Sequence, residues 1–197
     1  MRQKLILIGG GGHCASCIDV IEQEGKFDIA GVIDGEISNR EILGYPIIGS
    51  DVDLPHFRQF FDFLLIAVGQ INTSQVRVRL VEYVKSLGYT LPTIISPRAY
   101  VSKHATVGEG TIIMHDAVIN ARATVGSHCI INTKALIEHD AIVSSFSHIS
   151  TAAVINGGCV IGDGAFVGSN ATTKEAVKSK VNSFIKAGSI FKGQENE

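Results

Sequence analysis

From Val101 onward a β-branched aliphatic residue returns at every sixth position: Val101, Val107, Ile113, Ile119 and so on, through Ile137 and Ile155, to Val167. A small residue precedes each by two positions, as in Ala99, Ala105, Thr111, Ala117, Cys129, Cys159 and Ala165. The register continues, weakened, through Thr173 and Ser179 to Ile185 and Phe191. A period of six suits neither a helix face nor a plain alternating strand. It predicts a solenoid whose triangular coil takes three hexads, about 18 residues, with the aliphatics stacked along the interior. Roughly 16 hexads give about five coils. The small residue is expected to let the chain turn each corner. Gly or Asn after many of the aliphatics (Gly108, Asn120, Gly126, Asn132, Asn156, Gly162, Gly168) suits a positive φ there.

Residues 1–92 follow a different rule, which divides the chain into domains 1–92 and 93–197. Apolar runs at 4–8, 27–33 and 63–68 read as strands, the last two ending at Asp34-Gly35 and Gly69. Residues 14–23, after the first run, and 74–87, after the third, carry apolar residues at helical spacing, the latter stopped by Gly88. Strands alternating with helices predict a small parallel sheet covered by helices. Gly10-x-Gly12-x-x-Ala15 follows the first strand, and Asp34 closes the second. That arrangement fits a dinucleotide fingerprint: glycines for the turn, helix N-terminal amides for phosphate, a carboxylate for a ribose hydroxyl. A segment this short makes one Rossmann-like half domain, sized for a single nucleotide such as UDP rather than for NAD. The alternative is that these glycines serve turn geometry alone.

Lysine plus arginine number 17 against 19 acidic residues, a net charge of −2, so no basic excess points to nucleic acid or an anionic membrane surface. Mean hydropathy is +0.25, yet the longest aliphatic run, 63–68, falls far short of the roughly 20 residues that span a bilayer. The first residues carry a glycine string and no small-residue cleavage site, so they read as a strand rather than a leader, and a cytoplasmic location is expected.

Four cysteines are too few for a disulfide scaffold. Cys129 and Cys159 take the small-residue place of the hexad and read as packing. Cys14-Ala-Ser-Cys17 stands where a redox CxxC would, though small residues seating a helix on a sheet account for it equally. His104, His115, His128, His139 and His148 decorate the solenoid. Carbonic anhydrases of similar solenoid fold place two His ligands five residues apart; no such pair occurs here, and no metal is expected. His104, His115 and His128 read as surface residues without a role. His139 stands between Glu138 and Asp140, two positions past the inward Ile137. A neutral imidazole whose other nitrogen is held by a carboxylate, from Asp140 or Glu138, suits a general base working near neutral pH.

The hexad resembles the left-handed parallel β-helix of the hexapeptide-repeat acyltransferases over residues 97–192. Adding Gly9-Gly10-Gly11-Gly12-His13, Val32-Ile33-Asp34, 43–50, Ile66-Ala67-Val68-Gly69, 137–140 and Phe146-Ser147-His148 narrows the resemblance. It is to the bacterial sugar acetyltransferases of the sialic-acid O-acetyltransferase and UDP-bacillosamine N-acetyltransferase type (PglD/NeuD-like). That resemblance implies an α/β Rossmann-like half domain followed by an all-β left-handed β-helix, acting as a homotrimer with acetyl-CoA between neighbouring helices. His139 is then the base with Asp140, where close relatives carry Glu, as its neighbouring acid. His148 and Gly157 match acetyl-CoA positions, and Gly12, His13, Asp34 and Gly69 match loops that hold the nucleotide sugar. The implied reaction is acetyl transfer from acetyl-CoA to the amine of a UDP-linked 4-amino-4,6-dideoxy sugar. The alternatives are O-acetylation of sialic acid or a related sugar, and a non-catalytic nucleotide-sugar-binding scaffold. Lys174, Lys180, Lys186 and Lys192 follow the inward residue of successive late hexads, where coenzyme A phosphates or plain solvent could meet them.

Overall fold

The computed structural model describes residues 2–35 and 41–193, and contacts divide them into two compact units. One comprises residues up to Gly69 together with Gln75–Pro92; the other comprises Gln70–Ser74 and the chain from Thr93 onward. The short segment 70–74 thus belongs with the solenoid although the sequence around it belongs to the first unit.

In the first unit, β1 (Gln3–Ile8), β2 (Phe27–Ile33), β3 (Glu41–Ile42), β4 (Tyr45–Gly49) and β5 (Phe63–Ile66) form one sheet in the order β3-β4-β2-β1-β5. All pairings are parallel except β3 with β4. The sheet is therefore mixed, where strand and helix alternation predicted a parallel one: two residues, Leu43 and Gly44, both at positive φ, reverse the chain there. Helix α1 (Gly12–Glu24) buries Cys14, Cys17, Ile18, Val20 and Ile21, one apolar stripe at helical spacing. It ends at Gly25, whose left-handed φ of 66° lets its N–H reach the Ile21 carbonyl. The remaining helices are α2 (Leu54–Phe57) and α3 (Gln75–Ser86). Gly88, at φ 85°, closes α3 as its position predicted.

The second unit is a left-handed parallel β-helix. Its two-residue strands stack into three parallel sheets, each residue pairing with the one 18 positions on: Tyr100, Val118, Leu136, Val154, Thr172 and Ile190 line one face. The inward aliphatics from Ile113 to Val167 are at most 1% exposed, and so are the small residues two before them. With every inward position filled by the same branched shape, each coil seats on the last, and the buried surface runs unbroken along the axis.

The turn chemistry differs from the sequence expectation. Left-handed φ falls three residues after the inward aliphatic, at Asp116, Arg122, His128, Lys134, Asp140, Phe146 and Ala152 among others, and at Gly110, Gly158 and Gly164. Gly108, Gly126 and Gly162 are not at positive φ. They are glycine because the next coil passes too close: a β-carbon on any of them would lie 2.6 Å from backbone of the following coil. The corner carries strain of about 1 kcal/mol per non-glycine residue, offset by hydrogen bonds between coils such as Asp140 N–H to the Ala121 carbonyl.

Candidate active site

His139 and Asp140 sit at one corner of the β-helix, directly after the strand Leu136–Ile137. The His139 side chain is 63% exposed, which leaves it open to a reactant. Its Nδ1 lies 2.8 Å from Asp140 Oδ2. A carboxylate oxygen only accepts, so Nδ1 carries the proton and Nε2 presents its lone pair outward. Glu138, the other carboxylate in contention, is turned elsewhere. Its Oε2 accepts from Asn120 Nδ2 at 2.9 Å and from the His139 backbone N–H at 3.2 Å. Asp140 therefore holds the ring and Glu138 holds the chain.

One coil further on, Gly157 lies against the imidazole: a β-carbon there would stand 2.9 Å from His139 Cε1 and 3.0 Å from Nε2. The adjacent Gly158 N–H donates to the His139 carbonyl at 3.1 Å. Arg122, one coil earlier, grips Asp140 with two charge-assisted bonds, Nε to Oδ1 at 2.6 Å and Nη2 to Oδ2 at 2.7 Å. The guanidinium first, and the His139 bond second, hold the Asp140 carboxyl well below the usual carboxylate range. Sequence reasoning missed Arg122, although the repeat contained the signal: 18 residues is one coil, so position 122 must lie beside position 140.

His148 is 7% exposed. Its Nδ1 donates to the Gln70 carbonyl at 2.5 Å, Nε2 lies 3.3 Å from Asn132 Nδ2, and the ring packs edge-on against Phe166. Gln70 is itself pinned, its Nε2 donating to the carbonyls of Phe146 and Gly164. His148 thus anchors the 70–74 segment to the β-helix, a partnership with no mark in the sequence. Two other histidines depart from expectation. His128 is buried, 4% exposed, against the Phe146 ring 5.0 Å away, because the corner stack places residue 146 one coil above it. His115 Nδ1 lies 2.6 Å from Ser96 Oγ. His104 and the lysines at 174, 180, 186 and 192 are exposed. Among the described residues, no group of three or more His, Cys, Asp or Glu could hold a metal ion.

In the first unit, the glycine loop joins β1 to α1. Gly9 adopts φ 98°, where a β-carbon would also lie 2.7 Å from Val68 Cγ2, and Gly10 donates its N–H to the Asp34 carboxylate. Asp34 thus braces the loop. Gly11 and Gly12 have open space where a β-carbon would stand, and no side chain caps α1. A helix N-terminus left open in this way offers backbone donors and positive dipole to an anion. Gly69 faces His13: a β-carbon on it would lie 3.6 Å from His13 Cβ. Arg77, 1% exposed, donates to the Ile66 and Val68 carbonyls and so fixes the strand end leading to Gly69. Gly12, His13, Asp34 and Gly69 are thereby gathered at the ends of β1, β2 and β5. Cys14 and Cys17 are fully buried, and burial raises both thiols, Cys14 to about 12, so the motif packs α1 on its sheet.

The model of the PglD N-terminal domain matches residues 4–84. No curated protein sequence matches the chain. Among solved structures, a mutant of perosamine N-acetyltransferase from Caulobacter crescentus, in complex with CoA and GDP-perosamine, is similar with a TM-score of 0.92 and 29% identity. The match covers 98% of this chain and 90% of that one. The acetyltransferase domain of PglB from Neisseria gonorrhoeae, in complex with acetyl coenzyme A, is similar with a TM-score of 0.86 and 28% identity, over 95% of this chain and 90% of that one.

Proposed function

Because this chain is an acetyltransferase of the PglD/NeuD-like sugar acetyltransferases, we propose that it transfers acetyl from acetyl-CoA to the amine of a UDP-linked 4-amino-4,6-dideoxy sugar, with His139 as general base. The observation that carries the reading is the exposed His139 whose Nδ1 is committed to Asp140. Acetyl-CoA is the cosubstrate. Transfer to a sugar amine is supported by the Caulobacter perosamine N-acetyltransferase, over nearly the whole chain.

The nucleotide is held by the first unit, its phosphates against the N-terminus of α1 at Gly12 and His13 and its sugar near Asp34 and Gly69. The sugar amine attacks the thioester carbonyl carbon, and His139 Nε2 takes the proton as the C–N bond forms. The tetrahedral intermediate collapses with cleavage of the C–S bond, and the imidazolium returns the proton to the departing sulfur. Asp140 stabilises the transient positive charge and keeps the tautomer. No covalent acyl-enzyme is required. His148 and Gly157 contribute to the acetyl-CoA site, His148 by fixing segment 70–74 and Gly157 by leaving room beside the base. The active assembly is a homotrimer in the cytoplasm. Among the described residues, no helix is long and apolar enough to cross a membrane.

A second reading replaces UDP by GDP, favoured by the GDP-perosamine bound in the Caulobacter structure. Release of CoA thiol, measured with UDP- and GDP-linked 4-amino-4,6-dideoxy sugars and with free sialic acid at matched concentration, tests both. Turnover with the UDP-linked amine alone, lost in His139→Ala, is the expected result. Turnover with sialic acid alone overturns it in favour of O-acetylation, and nucleotide-sugar binding without thiol release overturns it in favour of a scaffold.

A further inference from the structure

We propose that Arg122 is a positioning residue of the transfer site, clamping Asp140 so that Asp140 can hold His139 in its Nδ1–H form; the proposal rests on reading His139 as the base. Asp140 stands at an exposed corner with a short side chain, and within its own coil the carboxylate meets the single His139 Nδ1–H. Arg122 fixes the carboxylate plane from the preceding coil. Both residues adopt left-handed φ, 62° and 61°, which brings corner onto corner. The planar fork takes both oxygens, and the Oδ2 bonded to Nη2 is the one that accepts from His139 Nδ1. A bidentate guanidinium imposes an orientation that a single ammonium does not. The surroundings of the ring are otherwise simple: Gly157 on its face, and Glu138 turned to Asn120 and the His139 backbone.

The same solenoid contains a matched pair for comparison. Arg98 grips Asp116 across one coil with bonds of 3.1 and 2.7 Å, and a histidine, His115, again precedes the aspartate. There the His115 Nδ1 is met by Ser96 Oγ. An inter-coil Arg–Asp pair is therefore a structural device that recurs, and at 122–140 the gripped oxygen also accepts from the Nδ1 of the proposed base.

The test is a double-mutant cycle read by CoA thiol release, with thermal melting of every variant. Arg122→Ala is expected to lower kcat about 10-fold while the KM for acetyl-CoA stays within about twofold. In an Asp140→Ala background the same substitution is expected to change kcat by less than about twofold, since its effect passes through the carboxylate. Arg122→Lys is expected to recover part of the loss, and Arg98→Ala to shift melting comparably while leaving kcat unchanged. The proposal is overturned if Arg122→Ala retains full kcat, if its effect persists undiminished without Asp140, or if Arg98→Ala mimics it. Failure of the base assignment reads differently: His139→Ala would then keep its turnover whatever Arg122 does.

Discussion

Gly157 lies beneath the His139 imidazole with no space for a β-carbon, which would stand 2.9 Å from Cε1 and 3.0 Å from Nε2. The glycine is there for room, not for backbone conformation, since its φ is not in the left-handed region. Gly157→Ala should therefore push the ring off its seat and off Asp140 while costing the fold little. A drop in kcat of about 10- to 100-fold is expected, at or below the low end of the roughly 100- to 10,000-fold that a positioned base contributes, because the ring is displaced rather than removed. Thiol-release kinetics together with a melting curve check it; a melting loss without a kcat loss would show that the ring tolerates the methyl.

Asp140 should not titrate anywhere in the working range. Its folded carboxyl is held down, first by Arg122 and then by His139. A depressed carboxylate contributes stability that is present above the unfolded value, about 3.9, and is lost as pH falls through the folded one. Compared in a His139→Ala background, which removes the imidazole from the titration, Asp140→Asn should lower stability by a small, constant amount from pH 8 to about pH 5. The difference should close only below about pH 4. It is small because both partners are solvated. Urea unfolding across this range measures it, and a gap that closes between pH 7 and pH 5 contradicts the assignment.

The solenoid was legible because one spacing governs it: a branched aliphatic at every sixth position is a direct statement of which atoms face inward. The same spacing contained the Arg122–Asp140 contact, once 18 residues is taken as one coil. The corner conformation was only partly legible: Gly, Asn or Asp takes the left-handed position at Gly110, Asp116, Asp140, Gly158, Gly164, Asn170 and Asn182, but the coil imposes the same φ on Arg122, Lys134, Phe146 and Ala152, which masks the pattern. The glycines at 108, 126 and 162 stood out in the sequence, but for a reason that only the neighbouring coil reveals. The β3–β4 reversal escaped because its two strands are too short for a periodic signal. Likewise, the grip of Gln70 on Phe146 and Gly164, 76 and 94 positions away, follows from packing alone.

The cysteines of the CxxC motif should behave as apolar core. Burial pushes the Cys14 thiol up to about 12 and raises Cys17 as well, so neither supplies thiolate near neutral pH. With Cys129 and Cys159 also buried, the native protein should give no more than slow reaction with a disulfide reagent at pH 8 and full reaction in denaturant. Rapid native labelling at Cys14 or Cys17 would restore the redox reading.

Two substitutions between the same residue types should move stability in opposite directions. Gly126→Ala places a β-carbon 2.6 Å from the Ser145 backbone nitrogen, a backbone clash that no rotamer relieves. Coils 18 residues apart would have to separate, and the inward stack from Ile113 to Val167 would lose contact along the axis; a loss of about 2–3 kcal/mol is expected, as for overpacked cores. Ala152→Gly acts at a corner where φ is 55°. There the methyl strains the backbone by about 1 kcal/mol, and removing it gives back more than the roughly 0.5 kcal/mol of added freedom in the unfolded chain. Melting should therefore fall for Gly126→Ala and hold or rise slightly for Ala152→Gly. If both fell equally, the glycines of the solenoid would be serving conformation rather than proximity, and the account of the corners given by the φ values would fail.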